Sequence, residues 1–199
     1  MDFNQKITEV FASLSGYLGF LAYNVIIYGT AFRKEFIMTP AEKVTTYLDN
    51  LGIKYKIVEH PAAYTTEQAD EYIKGMEGVR TKSMFLTNKK KRNFYLVIMD
   101  DDKRLDMSEF GEIVDNKRIK MASEESLKEK MDLSAGVVSI FGLLNNTEKD
   151  IEVFIQKKIS SEEWMTFHPN DNTKTLFIKT EDMYKFIKSV GFEYQIIDL

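Results

Sequence analysis

Three short stretches carry residue types that chemistry uses. In Arg80-Thr-Lys-Ser-Met-Phe-Leu86, Lys82 stands in an otherwise apolar, strand-like run. A lysine there either snorkels outward along its own stem or sits at the mouth of a pocket, where its point charge suits a phosphate or carboxylate. In Ala135-Gly-Val-Val-Ser-Ile-Phe-Gly-Leu-Leu-Asn-Asn146, two glycines bracket a short apolar run with one serine. Gly136 lets the backbone turn or come close to a ligand. Such a loop can aim backbone N–H groups at a developing negative charge. The plainer alternative is a buried strand through Val137 and Val138, broken at Gly142. In Phe167-His-Pro-Asn-Asp-Asn-Thr173, His168 lies between an aromatic strand and a polar loop. It suits a general base or a substrate contact, and equally a surface turn.

Other candidates are weaker. His60 precedes Pro61 and reads as structural. Asp100-Asp-Asp102 is a carboxylate cluster without ligand spacing after it, so a solvated turn is the better reading. There is no nucleophile elbow, phosphate-binding glycine loop, zinc-protease signature or dinucleotide fingerprint. The chain has no cysteine and two histidines, which excludes thiolate chemistry and disulfides and argues against a histidine-rich metal site. No cofactor is expected.

At 199 residues, 44% hydrophobic and 29% charged, the chain is long enough to bury a sizeable core. The net charge of −4 excludes a generally basic nucleic-acid binder. Cations cluster locally, at Lys89 to Arg92, at Arg80 and Lys82, and at Lys117, Arg118 and Lys120. On one face these would hold a few phosphates; taken alone, Lys89 to Arg92 reads as a solvated hairpin tip.

The elements that position these residues are legible from Met38 onward. Thr39-Pro-Ala-Glu42 is a capping box with proline in the first turn, and Val44, Tyr47, Leu48 and Leu51 form an apolar stripe ended by Gly52. Tyr55 to Glu59 is a strand stopped by His60-Pro61. Thr66 opens a helix that Gly75 or Gly78 ends. Thr81 to Thr87 and Phe94 to Asp100 form a hairpin with a basic turn. Helices are expected around Ser108 to Ile113 and Ser123 to Met131. Strands are expected at Ile151 to Ile155, Trp164 to Phe167 and Lys174 to Lys179. Thr180 caps a helix ended by Gly191, and Tyr194 to Ile197 closes the chain. This mixture, without strict strand–helix alternation, is α+β, a mixed sheet with flanking helices.

The chain divides into residues 1–37 and a single domain at 38–199. Residues 11–32 carry no charged side chain and are long enough for a bilayer span, with Arg33 and Lys34 behind them. Three readings stay open for 1–37: an extension ahead of a true start at Met38, a membrane or interfacial anchor, and a packed helix.

Taken in order, these stretches resemble the YbaK/prolyl-tRNA-synthetase-associated editing family. They are most similar to its free-standing branch that deacylates alanyl-tRNA(Pro), the PrdX-type proteins. The resemblance rests on Leu51-Gly52-Ile53, Glu59-His60-Pro61 before Tyr64-Thr65, Lys82 to Leu86, Gly136 to Leu143 with Asn145, and Phe167 to Asn170 with Asn172-Thr173. It implies a partly barrel-like mixed sheet with helices outside. The implied reaction is hydrolysis of the ester joining a mischarged amino acid to the tRNA 3′ adenosine. It puts Lys82, Gly136 and Ser139 at the reacting centre. Tyr64, Thr65, Val137, Val138, Ile140, Phe141, His168 and Asn170 would surround the substrate. Lys82 would engage the 3′-terminal phosphate or adenosine, the backbone after Gly136 would position the water or the carbonyl, and His168 would line the aminoacyl pocket. The family's loop proline falls at Ile140, which frees an N–H and loosens the loop.

The partners implied are the aminoacylated tRNA(Pro) 3′ end and prolyl-tRNA synthetase, for a cytoplasmic monomer or weak dimer. A membrane enters only if residues 11–32 anchor the chain. A reading from a different class is a non-catalytic module that binds an aminoacyl group or a tRNA end as a regulator.

Overall fold

The structure, a computed structural model, describes residues 38–199; the expectations for residues 1–37 lie outside it. The first helix, α1 (Pro40–Asn50), begins as its sequence dictates. Thr39 Oγ1 accepts from the Glu42 N–H at 3.2 Å, and Glu42 Oε2 accepts from the Thr39 N–H at 2.7 Å. Ala41, Val44 and Leu48 are its buried face. Gly52 takes φ +68°, the left-handed conformation that ends many helices.

The elements that follow are β1 (Tyr55–Glu59), α2 (Thr66–Tyr72), β2 (Thr81–Thr87), β3 (Phe94–Asp100), α3 (Met107–Ile113), β4 (Lys120–Met121) and α4 (Glu124–Met131). After a 3-10 helix at Ile140–Leu144 come β5 (Ile151–Gln156), α5 (Lys157–Ser160), β6 (Trp164–Phe167), β7 (Lys174–Lys179), α6 (Thr180–Ser189) and β8 (Tyr194–Ile197). The strands form two sheets. One is antiparallel with order β1-β7-β6; the other is mixed with order β4-β2-β3-β5-β8, parallel from β3 through β8.

β3 explains its own sequence. It is central and wholly buried, so an unbroken apolar run is required rather than an alternating one. Phe94, Leu96 and Ile98 feed the larger core, shared with α1, α6 and the 3-10 helix. Tyr95, Val97 and Met99 feed a second core closed by Phe110 of α3. The sheets meet at one parallel bridge, Val79 to Met165, where the Val79 N–H donates to Trp164 O at 2.8 Å. That junction curves them toward each other as an open, partly barrel-like α+β fold. Among the described residues no helix is long and apolar enough to cross a membrane.

Several local expectations are corrected. Val137 and Val138 form no strand. A turn at Gly136 leads through half-buried, unpaired backbone into the 3-10 helix, whose N-cap is Ser139. The β-branched pair lies outside both sheets. Gly142 lies within that helix and does not break the run; glycine suits it because a Cβ there would collide with Met131 Cε and come 2.8 Å from Leu133 Cδ1. α2 ends at Tyr72, ahead of both glycines, because Ile73 turns into the core. Lys179 rather than Thr180 is the N-cap of α6.

Candidate active site

A cavity of about 270 Å³ opens where α2, the start of β2, the Gly136 turn and the end of β6 converge. It is small beside the roughly 300–1,000 Å³ of ordinary ligand pockets. Each wall has a local cause.

The α2 wall carries Ala63, Tyr64, Thr65, Thr66, Ala69, Asp70 and Ile73. α2 buries none of its own side chains, so caps and clasps hold it. Thr65 Oγ1 accepts from the Gln68 N–H at 3.3 Å, and Gln68 Oε1 accepts from the Tyr64 N–H at 2.8 Å. Arg80 gathers the far end: its guanidinium donates to the carbonyls of Gly78, Ile73 and Met76 at 2.7, 2.9 and 3.0 Å. Tyr72 stacks on His60, with ring centroids 4.9 Å apart.

The β2 wall carries Thr81, Lys82 and Ser83. The Lys82 ammonium donates to Asp101 O at 2.9 Å and to Lys103 O, so it bridges β2 to the turn after β3. It has no carboxylate partner among the described residues. Its charge is therefore held by neutral carbonyls, which an incoming phosphate can displace.

The third wall is the Gly136 turn. Gly136 has φ +85°, and a Cβ added to it would meet no atom within 4 Å, so glycine is needed there for conformation and not for space. Gly136 and Val138 line the cavity. Their N–H groups donate to no protein group among the described residues, whereas the Val137 N–H closes the turn onto Ser134 O at 3.3 Å.

The fourth wall is Thr166, Phe167, His168 and Thr175. The loop from His168 to Thr173 is sewn to the loop after β1. His60 N–H donates to Thr173 O at 2.9 Å, Ala63 N–H to Asn172 O at 2.9 Å, and Asn172 Nδ2 to Ala63 O at 3.1 Å. His168 Nδ1 lies 2.9 Å from Lys174 O and so carries the proton. Burial lowers the imidazole pKa and nearby His60 adds to that, leaving Nε2 a neutral acceptor near pH 7. His60 Nε2 meets Thr175 Oγ1 at 3.0 Å, a structural contact at the cavity's edge.

The structure thus brings Lys82, Gly136, Val138, His168, Tyr64 and Thr65 to one cavity. It does not bring the other candidates to the wall. Ser139 is buried, and its Oγ accepts from the Phe141 N–H at 3.4 Å as a helix cap. Ile140 and Phe141 are fully buried behind the wall, the Phe141 ring 5.9 Å from that of Phe167. Val137 packs against the core. Asn170 takes φ +58° in its loop with its Oδ1 buried and unpartnered.

Sequence reasoning missed Asp70, Thr166 and Met121, and read Asp101 as part of a solvated turn. Burial and the neighbouring Asp101 carboxylate push the Asp70 carboxyl up to about 7, against the pull of Arg80, 3.6 Å away. The acidic turn is only partly solvated. Asp100 is buried, where burial works against ionisation but the Lys158 ammonium at 2.5 Å and the Asp102 N–H keep its pKa low. Among the described residues Asp100, Asp101 and Asp102 alone bring three acidic ligand atoms within 4.8 Å of one another. With Asp100 already engaged by Lys158, that set suits a turn better than a cation.

The model of the aminoacyl-tRNA editing domain family matches residues 60–186. Prolyl-tRNA editing protein ProX of Acetoanaerobium sticklandii is 32% identical over 163 residues, which are 81% of this chain and 99% of that protein. Prolyl-tRNA synthetase associated domain-containing protein 1 of Mus musculus is 27% identical over 155 residues, 76% of this chain and 91% of that one. The fold is similar to the crystal structure of a candidate trans-editing enzyme for prolyl tRNA synthetase, with a TM-score of 0.63 at 17% identity, covering 80% of this chain and 97% of the other.

Proposed function

Since the chain belongs to the aminoacyl-tRNA editing domain family, we propose that it is a trans-acting deacylase that hydrolyses the ester of mischarged tRNA(Pro), with alanine as the amino acid removed. The observation that carries this reading is the convergence of Lys82, Gly136 and His168 on one small cavity. Water adds to the ester carbonyl, the carbonyl oxygen takes up negative charge, and the ribose oxygen leaves with a proton. An aminoacyl ester is already activated, so positioning and charge stabilisation carry most of the work.

The chain's own groups suit those tasks. The unpaired N–H groups of Gly136 and Val138 are donors for the developing oxyanion. The Lys82 ammonium exchanges its carbonyl partners for the phosphate at the 3′ end. Neutral His168, with Nε2 as acceptor, borders the aminoacyl group. The cavity is small, about 270 Å³, which supports selection by size, the logic of a sieve that admits alanine.

Ile140 is the feature that favours a binding module without catalysis. It occupies the first position of the 3-10 helix, fully buried. Proline is favoured at that position because no N–H is needed there, and isoleucine is compatible with it too. The exchange leaves the reading as a deacylase supported.

The test is release of amino acid from Ala-, Pro- and Cys-tRNA(Pro) by the full chain and by Lys82→Ala. Alanine is expected to leave fastest, and Lys82→Ala to lose about a hundredfold or more in kcat/KM. A folded wild-type chain that releases none of the three is a binding module instead.

A further inference from the structure

The deacylase reading leaves the basic residues of the opposite end of β2 unused. Lys89, Lys90, Lys91 and Arg92 form the tip of the β2–β3 hairpin. Lys117 and Arg118 lie on the loop between α3 and β4, and Lys120 opens β4; all seven are exposed. These segments are distant in sequence but locked together in space. Asn88 Nδ2 donates to Asn93 Oδ1 at 2.6 Å and to Asn116 Oδ1 at 3.2 Å, so one side chain ties the hairpin tip to the loop. The Arg92 N–H returns to Asn88 Oδ1 at 3.1 Å, and Asn116 Nδ2 is anchored on the Tyr95 hydroxyl at 2.9 Å. β4 pairs with β2, Lys120 opposite Thr87. The result is a rigid basic knuckle.

The knuckle's charge is not spent internally. Lys91 meets Glu125 at 3.9 Å; the other six cations pair with no carboxylate among the described residues. Asp115 is the acid within the loop itself. This concentration stands out on a chain of net charge −4. Lys91 and Arg118 also adopt φ of +52° and +64°, where glycine or asparagine would sit with less strain. The knuckle lies at the far end of β2 from Lys82, about 20 Å along a strand rising roughly 3.3 Å per residue. Lys120 adjoins Met121, which lines the cavity.

We propose that this knuckle docks the sugar-phosphate backbone of an RNA duplex whose unpaired 3′ end reaches the cavity. The proposal rests on the deacylase reading for what occupies the cavity. The chemistry of the tips favours RNA over an acidic protein. The segments from Asn88 to Asn93 and Asn116 to Arg118 contain no apolar side chain. Protein interfaces rely on aromatic and apolar anchors, whereas phosphate contacts need only cations held in register.

The experiment compares the full chain with a variant carrying Lys89→Gln, Lys90→Gln, Arg92→Gln and Lys117→Gln. Lys91 and Arg118 are left alone, because their left-handed backbone complicates replacement. Binding of uncharged tRNA(Pro) is measured across a salt series. Deacylation is measured on charged tRNA(Pro) and on an aminoacylated oligonucleotide with only the single-stranded CCA end. In the variant the slope of log K against log salt falls by about one for each phosphate contact removed. Its kcat/KM on charged tRNA drops about tenfold or more, while that on the oligonucleotide stays within about twofold. A control, Lys43→Gln with Lys188→Gln on α1 and α6, keeps the wild-type slope.

An unchanged slope in the knuckle variant overturns the proposal and leaves an acidic protein as the partner to seek. An equal loss in the control, or an equal loss on the oligonucleotide, overturns it too. If the wild-type chain hydrolyses neither substrate, the deacylase reading has failed, and the binding slopes still decide the knuckle.

Discussion

The two loops that supply the cavity's backbone are built in opposite ways. The loop from His168 to Thr173 is densely bonded: its Asn172 and Thr173 carbonyls and its Asn172 side chain are tied to the loop after β1, and Asp171 Oδ1 accepts from Thr173 N–H and Oγ1 at 2.9 and 2.7 Å. The turn at Gly136 is open, with one backbone bond and two unpaired N–H groups at the cavity. A loop bonded in this way holds its shape. An open one is held by what flanks it, here the Ser139 cap and the buried Ile140 and Phe141, and on the proposed reading its donors serve the substrate. The division separates positioning from chemistry.

The comparison breaks most readily at Gly136. Gly136→Ala meets no steric obstacle but puts a side chain at φ +85°, a conformation costing about 1–2 kcal/mol. If the turn's N–H groups stabilise the oxyanion, kcat falls about a hundredfold, while thermal stability drops only modestly. A variant that unfolds without a specific loss of kcat would make the turn a hinge for packing and nothing more.

Asn172→Ala tests the densely bonded side. It leaves the Ala63 carbonyl without that donor, and about 1–3 kcal/mol of stability is expected to go. KM should rise more than kcat falls, because the wall shifts without losing a reacting group. Urea titration beside steady-state kinetics separates the two.

Ser139→Ala sharpens the contrast. As a helix cap the hydroxyl contributes about 1 kcal/mol, and turnover should stay within a few-fold of wild type. A loss of activity as large as that of Lys82→Ala would make the hydroxyl part of the chemistry.

The smallest effect is in pH. Burial holds His168 below the usual histidine range. Below about pH 6.5 the unfolded chain takes a proton that the folded one refuses, so stability is full above that value and is lost as pH falls through the folded pKa. Melting temperatures between pH 7.5 and pH 5 should decline in the wild type and decline less in His168→Gln.

How legible these regions were differs for the same physical reason. α1 and its cap were readable because Thr39, Pro40 and Glu42 act within one turn, and β3 because its seven residues all demand burial. Strands such as Tyr55–Glu59 and Trp164–Phe167 fall where their patterns put them. The 3-10 helix was hidden because Val137 and Val138 have strand propensity but lie outside both sheets, a fact of tertiary arrangement. Asp70 was invisible as a site residue because its meaning comes from Asp101, and Arg80, legible only as a local cation, takes its role from the carbonyls of Ile73, Met76 and Gly78. Lys82 was conspicuous as a cation in an apolar strand, yet its two carbonyl partners lie beyond β3 and left no trace beside it.

The bonds that tie the His168 loop and the start of β7 to the loop after β1 join residues 109 and 115 positions apart, as in Asn172 to Ala63 and His60 to Thr175. Closing so long a loop is entropically costly and slow. During synthesis, α1, β1 and α2 leave the ribosome long before β7, and until then β1 has no partner strand. The proposed catalytic cavity is therefore a late product of folding, and a nascent chain that stops short of β7 carries Lys82 and Gly136 but no finished chamber around them.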